Sequence, residues 1–323
     1  MSQDGRLVAS VGFSDEHWKI WDAASGEVHR VGATHDGTEA CMCVVQEDGG
    51  PRIMEDGCPV VAHTTGLRSV AFSPCGRRLA TGARDGAVIV WDAQAGKAEH
   101  RMLAHPKEIS SLSFSADGAR LASGSVDGSI RVWDVTMGTL LRTIEESHRF
   151  VLNLHFSPTE NRVLASAGGD LVIHLWDTGK CGEKIRTTAG HGMAVFSPDG
   201  CTIATVSAIS NNVRLVNAES GTLRLTFISK EVATFCASFS VDGSELATGG
   251  DDGTCKVWDS STGALLRTTH VGTWAFSVVW ARDWVQDTQR RVAFAMGHHP
   301  RLGVGSRVLE LEVGVVRMIL DSV

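Results

Sequence analysis

The chain has 323 residues, of which 43% are hydrophobic and 21% charged, with 35 Gly against 7 Pro and a formal net charge of −7. That is enough apolar material for a sizeable core, and enough Gly for many tight turns. The acidic balance, without any block of consecutive basic residues, excludes the electrostatic footprint of a general nucleic-acid binder, and no stretch of 18 apolar residues offers a membrane-spanning helix.

The opening segment, Met1 to Val11, lacks a basic run followed by a long apolar one, so the expectation is an unsecreted protein, cytoplasmic with the nucleus as the alternative. Gln3-Asp4-Gly5 reads as the turn after a first strand, followed by a strand at Arg6 to Val11 and by Trp21-Asp22. The first strand itself is missing, so either a terminal segment replaces it or the chain is a truncated form. Residues 31–62 are the least regular. His35 stands only 28 residues before His63, too short for the unit length seen further on, so the segment around Cys41 is either a decayed unit or an inserted hairpin.

From His63 onward one pattern recurs. His63, Thr81, Asp85 and Trp91 are matched by His105, Ser123, Asp127 and Trp133 and by His148, Ser166, Asp170 and Trp176, the later members lying 18, 22 and 28 positions after the His. Thr248, Asp252 and Trp258 keep the spacing with Lys230 in the place of the His, and an Asp follows every Trp. An indole N–H only donates, an ionised carboxylate only accepts, and a hydroxyl and a neutral imidazole do both, so the four residue types can form one satisfied chain. Short runs such as Leu67 to Phe72, Ile109 to Phe114 and Val151 to Phe156 are apolar and β-branched, and each leads into a Ser and a turn. Asp-Gly at Asp85-Gly86, Asp127-Gly128 and Asp252-Gly253 marks a second hairpin per unit. The chain reads as almost entirely antiparallel β.

Two later stretches depart from the pattern. Residues 191–217 have a shortened first strand, Met193 to Phe196, and Val216-Asn217 where Trp-Asp is expected, which leaves at best a partial hydrogen-bond chain. Residues 270–323 form a diverged last unit with strands at Thr273 to Arg282, Arg291 to Met296 and Arg307 to Glu312. Val313 to Leu320 follows as a further apolar strand. It is expected to close the structure by pairing toward Arg6 to Val11, since each end alone leaves backbone groups unpaired.

With Trp-to-Trp intervals of 42 and 43 residues and Asp after each Trp, the sequence resembles the WD-repeat β-propeller family. The resemblance implies an all-β fold in a single domain over residues 1–323: seven blades of four-stranded antiparallel sheet, or eight if residues 31–62 are a decayed blade. It also implies that the repeated His, hydroxyl, Asp and Trp residues tie each blade together. Read as catalysis they would suggest a triad, but one active site needs one triad, and these recur at identical spacing.

Nothing in the sequence points to a cofactor or a metal. The eight Cys lack paired Cys-x-x-Cys spacing, and Cys41 with Cys43 has no further ligand beside it, so the thiols are expected free in a reducing compartment; His298 and His299 read as turn residues. The resemblance places function on the propeller faces, where other proteins bind. If the family alignment holds, the starts of the first strands, Arg68, Ser110, Asn153, Phe235 and Phe276, lie around the channel on the narrower face. A second ring there contains Arg84 and Asp251. Phe235, Trp274 and Phe276 are either a partner anchor or core packing. Arg68 and Arg84 either grip an acidic peptide or phosphate, or are solvated surface residues.

The reading is therefore a non-catalytic protein-interaction scaffold that binds partner proteins or peptides. A propeller enzyme with a metal or hydrolase site at the channel mouth is the alternative, and a nucleic-acid- or chromatin-associated adaptor is third. The Asp-x-Arg pattern of ubiquitin-ligase substrate receptors and the Phe-Arg-Arg-Gly stretch of phosphoinositide-binding propellers are both absent.

Overall fold

The computed structural model describes residues 7–11, 17–22, 28–33, 42–45, 51–52, 63, 65–145, 149–170, 172–179, 182–189, 192–206, 212–228, 233–250, 252–270, 277–280, 292–296, 307–312 and 315–319. Side-chain surroundings are described within 63–270 only, and not for residues 189, 228 and 235. Every regular element among these residues is a β-strand, and all strand pairings between neighbours in a sheet are antiparallel.

The strands fall into seven sheets, each laid out in chain order. The first contains β1 (Leu7–Val11), β2 (His17–Asp22), β3 (Val28–Ala33), β4 (Met42–Val45) and β5 (Pro51–Arg52). The second contains β6 (Leu67–Phe72), β7 (Arg78–Ala83), β8 (Ala87–Asp92) and β9 (Ala98–Leu103). The third contains β10 (Ile109–Phe114), β11 (Arg120–Ser125), β12 (Ile130–Asp134) and β13 (Thr139–Ile144). The fourth contains β14 (Val151–Phe156), β15 (Val163–Gly168), β16 (Val172–Asp177) and β17 (Glu183–Ala189). The fifth contains β18 (Met193–Phe196), β19 (Thr202–Val206), β20 (Asn212–Asn217) and β21 (Leu223–Ile228). The sixth contains β22 (Thr234–Phe239), β23 (Glu245–Gly250), β24 (Thr254–Asp259) and β25 (Leu265–His270). The seventh contains β26 (Ser277–Trp280), β27 (Val292–Met296), β28 (Arg307–Glu312) and β29 (Val315–Ile319).

The irregular segment between the first two sheets takes a definite place. Its hairpin, β4 with β5, pairs on β3 through Arg30↔Val44 and Val31↔Cys43, so it extends the first sheet outward and is not a separate sheet. Pro51 has no N–H to offer, which suits a strand at a sheet edge. The expected closure takes a different form. β29 is the fourth strand of the seventh sheet, in register with β28 through Leu309↔Met318, while β1 pairs with β2 in the first sheet. The apolar run after Glu312 completes its own sheet and does not pair with Arg6 to Val11 among the described strands.

The first strand of each sheet touches the first strand of the next, from β6 to β10, β14, β18, β22 and β26, and β1 touches β6. The second to sixth sheets bury apolar residues on both faces, so the core described there lies between sheets. Ala80, Val88, Val90 and Met102 of the second sheet pack against Ile109, Leu112, Phe114, Leu121 and Trp133 of the third. The same arrangement joins the third to the fourth through Val132 and Trp176, and the fifth to the sixth through Phe227 and Trp258. Burial on both faces explains why β8 is one continuous apolar run, while the outermost strand β9 mostly alternates buried and exposed positions. Close approach also dictates Gly124, where a Cβ would lie 2.6 Å from Val151 Cγ1 of the neighbouring sheet. In the second to sixth sheets the outermost strand carries a bulge beside the Trp or Val next to last in the third strand, and in the first sheet β3 carries one beside Trp21 of β2. Such bulges blunt the exposed edge.

A second, polar device joins the sheets. The inner edge of each first strand has no strand beside it to accept its N–H groups, and side chains of the preceding first strand fill that role. Leu112 N–H donates to Ser69 Oγ at 3.0 Å, Leu154 N–H to Ser111 Oγ at 3.0 Å, and Phe156 N–H to Ser113 Oγ at 3.0 Å. Between the fourth and fifth sheets the acceptors change to Asn153 Oδ1, for Ala194 N–H at 3.0 Å, and His155 Nδ1, for Phe196 N–H at 3.4 Å.

Accepting that bond requires Nδ1 to carry no proton. Burial pushes His155 down to about 4 from the ordinary 6.5. A folded-state value below the unfolded one means that the unfolded chain binds the extra proton between these limits, so stability rises with pH across the window. The contribution is whole above pH 6.5 and is lost as the pH falls toward 4. We expect urea denaturation to show about 2 kcal/mol of this loss, less than a fully sealed imidazole would give, and His155→Ser, which copies Ser113, to flatten that part of the profile. An unchanged profile in the variant would remove His155 as the cause.

Candidate functional site

The repeated residues meet inside each sheet. In the third sheet Trp133 donates its indole N–H to Ser123 Oγ at 2.9 Å, and Ser123 Oγ lies 2.9 Å from His105 Nε2. His105 Nδ1 lies 3.2 Å from Asp127 Oδ2 and 3.0 Å from Ser129 Oγ. The carboxylate only accepts, so Nδ1 carries the proton and Nε2 accepts from the Ser123 hydroxyl; the polarity of the whole chain follows. The second sheet repeats it: Trp91 to Thr81 at 2.8 Å, Thr81 to His63 Nε2 at 2.8 Å, and His63 Nδ1 to Asp85 at 3.4 Å. All of these side chains are buried except the Asp, which is partly so.

Two sheets alter the pattern. In the fourth, Trp176 donates to Ser166 Oγ at 2.8 Å, but Asp170 is met by His174 Nε2 at 3.2 Å, and His174 Nδ1 lies 2.8 Å from Thr187 Oγ1. In the sixth, Trp258 donates to Thr248 Oγ1 at 2.9 Å, and Asp252 accepts from Lys256 Nζ at 3.3 Å and from Thr254. His148 and Lys230 lie outside the described residues. His174 and Lys256 were not singled out by the spacing analysis. Their signal is a basic or imidazole residue four positions after the turn Asp, the i to i+4 step across a tight hairpin.

The turn glycine explains how the chain comes together. Gly86 has φ +74°, and a Cβ there would lie 2.0 Å from the His105 carbonyl oxygen, so only Gly lets the loop carrying the next His settle on the turn. Burial lowers His105 below the ordinary histidine range, against the pull of Asp127. For Asp127, burial alone would raise the carboxyl, but the Ser129 N–H and hydroxyl and His105 outweigh it and hold it low. Asp252 is held low in the same way by Thr254 and Lys256 against burial.

The residues expected on the narrower face make other contacts. Arg68 donates from Nε and Nη2 to Glu108 Oε2 of the next sheet, at 3.0 and 2.9 Å, and Arg84 Nε stands 4.0 Å from the same oxygen. The two arginines thus converge on a carboxylate that sequence inspection did not single out. Ser110 Oγ donates to the Gly124 carbonyl at 3.1 Å. Asn153 does not stand with Arg68 and Ser110: it is the acceptor for Ala194 N–H across the sheet boundary, and the residue equivalent to Arg68 and Ser110 is Leu152, 46% exposed. Counting from His148 puts the position one residue late, whereas Phe72, Phe114 and Phe156 are spaced evenly and align Asn153 with Ser111. A slip of one residue along a strand exchanges its two faces. Phe235 lies in β22, without a described side chain, and Asp251, Trp274 and Phe276 lie outside the described residues. Among the described residues no group of three His, Cys, Asp or Glu side chains could hold a metal ion.

A Trp indole held on a buried second-strand hydroxyl, repeated from sheet to sheet, goes with the family comparisons. The model described as "WD domain, G-beta repeat" matches residues 58–92 and 221–259. The chain is a WD-repeat protein. The model described as "Vps8 beta-propeller" matches residues 103–188. Similar whole proteins include Autophagy-related protein 16 of Arabidopsis thaliana, 25% identical over 76% of this chain and 50% of that protein. Nuclear distribution protein PAC1 of Coccidioides posadasii is 30% identical over 64% of this chain and 51% of its own length. The guanine nucleotide-binding protein subunit beta of Nicotiana tabacum is 24% identical over 67% of this WD-repeat chain and 64% of its own length. The chain therefore spans about half the length of the first two relatives.

Two outcomes follow from this geometry. Trp133→Ala removes packing at a sheet boundary and leaves the Ser123 hydroxyl without its donor, and should cost about 3–5 kcal/mol in urea unfolding; His105→Ala should cost about 1–3 kcal/mol. Equal stability of both variants and the parent would contradict a structural role. The second concerns thiols. Cys75 is exposed at the turn position that Asp117, Asp199 and Asp242 occupy in later sheets. Its partial burial would raise it, but the Ser73 hydroxyl, the Arg77 N–H and the Arg77 charge bring it below the usual thiol range. Burial pushes Cys236 up to about 12 and raises Cys255 as well. Iodoacetamide near neutral pH, read by peptide mass spectrometry, should alkylate Cys75 long before Cys236 or Cys255; the reverse order would contradict these environments.

Proposed function

We propose that this WD-repeat chain is a non-catalytic platform that binds other proteins, with its contact surface on the narrower face where β6, β10 and β14 begin. The observation that carries the reading is the internal use of the repeated polar residues: Thr81, Ser123, Ser166 and Thr248 each hold an indole of their own sheet. That side-chain chemistry serves the scaffold. The relatives agree, since one of them is by name a subunit of a larger assembly. The seven sheets support a seven-bladed reading, and the thiols Cys75, Cys201, Cys236 and Cys255 support a reducing compartment such as the cytoplasm or nucleus.

On that face Leu152 is exposed at the start of β14, and the Arg68, Arg84 and Glu108 group stands at the start of β6 and β10. An exposed apolar side chain on one sheet and a charged group on the two sheets before it suit a protein surface with an aliphatic or aromatic contact and a polar surround. The purified chain should capture a protein that also binds it when both are pure. Leu152→Asp should weaken that binding at least tenfold in calorimetry with an unchanged melting temperature. Unchanged binding in Leu152→Asp would move the surface elsewhere, and turnover in a hydrolase screen with bound metal would favour the enzyme reading instead.

A further inference from the structure

Each described turn Asp has a basic or imidazole neighbour. His174 meets Asp170 at 3.2 Å and Lys256 meets Asp252 at 3.3 Å, each from four residues further along the chain. In the second sheet Arg101 of β9 approaches Asp85 at 3.8 Å. In the third sheet Arg131 stands at the position of His174 and Lys256. It gives Nη1 to the Ala104 carbonyl, and Asp127 is taken by His105 and Ser129. The fifth sheet keeps the cation, Arg214, but the residue four earlier is Ser210, so the carboxylate has gone.

The side chain of Arg214 shows the consequence. Its Nε is buried and has no hydrogen-bond partner. Arg131 and Arg186 also bury an unpartnered Nε, yet each gives an Nη1 hydrogen to a carbonyl, of Ala104 and Ser220. Among the described residues the Arg214 side chain makes neither a hydrogen bond nor an ion pair. Its register partner on β21 is Thr226, which is exposed, the same relation that Thr187 has to His174, where hydroxyl and ring lie 2.8 Å apart. A guanidinium fork with a hydroxyl beside it matches a carboxylate in shape and charge.

We propose that Arg214 receives a carboxylate from an acidic segment of a protein partner, at the place that Asp85, Asp127, Asp170 and Asp252 fill in the other sheets. This deepens the protein-binding reading and rests on it. A chain of net charge −7 repels acidic peptides in general, so recognition of this kind has to be local to an unmatched cation. The third-strand cation of the fifth sheet is the one described case that lacks a turn Asp.

The test uses the full chain and fluorescein-labelled octaglutamate at low salt, read by fluorescence anisotropy, with octaglutamine and inorganic phosphate as controls. The wild type should bind octaglutamate and not octaglutamine. Arg214→Gln should weaken binding at least tenfold. Ser210→Asp, which restores the i to i+4 carboxylate of the fourth and sixth sheets, should weaken it to a similar degree by occupying Arg214 internally, and should raise the melting temperature. That variant keeps the question open to test if Arg214→Gln folds poorly. No octaglutamate binding by the wild type, or unchanged binding in both variants, overturns the inference. Binding of phosphate or a phosphopeptide at Arg214 in preference to octaglutamate also overturns it, in favour of a phosphate. If a purified protein partner binds but Arg214→Gln binds it equally well, the inference falls and the platform reading stands; if no protein partner binds at all, the platform reading falls on its own.

Discussion

The rest of the structure depends on a buried hydroxyl. Thr81, Ser123, Ser166 and Thr248 each sit in a second strand at almost complete burial, and each takes the indole N–H of the Trp next to last in the third strand. An indole N–H buried without a partner would cost the desolvation of a donor, so the hydroxyl is what permits a large ring at the boundary between two thin sheets. Once the ring is there it forms much of the contact with the preceding sheet, as Trp258 does by stacking on Phe227 at 5.6 Å. No sheet can bury its two faces alone, so a contact inside one unit becomes a condition for packing between units.

The fifth sheet shows what happens when part of this is missing. It keeps the hydroxyl position as Thr205 but has Val216 in place of the indole, and its turn has lost the Asp. Apolar packing still places it, with Ala204, Val206, Leu215 and Phe227 against Leu246 and Trp258 of the sixth sheet. Its boundary with the fourth sheet also differs, since Asn153 and His155 replace the serines used elsewhere. Loss of the internal chain and an unmatched cation therefore fall in the fifth sheet, and a titratable acceptor falls at its boundary with the fourth. Local rules of sequence and structure most often yield where something other than stability is being served.

Most of the fold was legible because the hydrogen-bond chain imposes fixed offsets. A hydroxyl, a turn Asp and a Trp can meet only if the strands between them keep their length, so 18, 22 and 28 recur and reveal the strand order. The last sheet was readable from its apolar runs, three of which coincide closely with β27, β28 and β29. Contacts between sheets were not readable, because no spacing rule links Arg68 to Glu108 or Ser69 to Leu112. The position of Asn153 was obscured for a related reason: His148 stands one residue nearer its strand than His63 and His105 stand to theirs, and the turn after Phe156 absorbs the difference at Thr159 to Asn161. A count begun at the loop inherits that slip; a count begun at the buried Phe does not, because packing against the next sheet fixes the Phe.

The same division bears on where specificity can arise. Residues of the hydrogen-bond chain are satisfied within their own sheet, so replacing a face residue does not disturb them, and the faces can differ freely from one repeat to the next. Arg68 and Arg84 already share Glu108, which offsets part of the charge that an approaching carboxylate would meet at Arg84. In the proposed reading selectivity falls to shape and to Leu152, which is 46% exposed, so that its burial by a partner would contribute about 1 kcal/mol, comparable to a typical hydrogen bond. A guanidinium whose Nε is shielded from water and unpaired is the opposite case: it gains more from a single correctly placed carboxylate than a solvated arginine does, because the cost of removing its donor from water has already been incurred in folding.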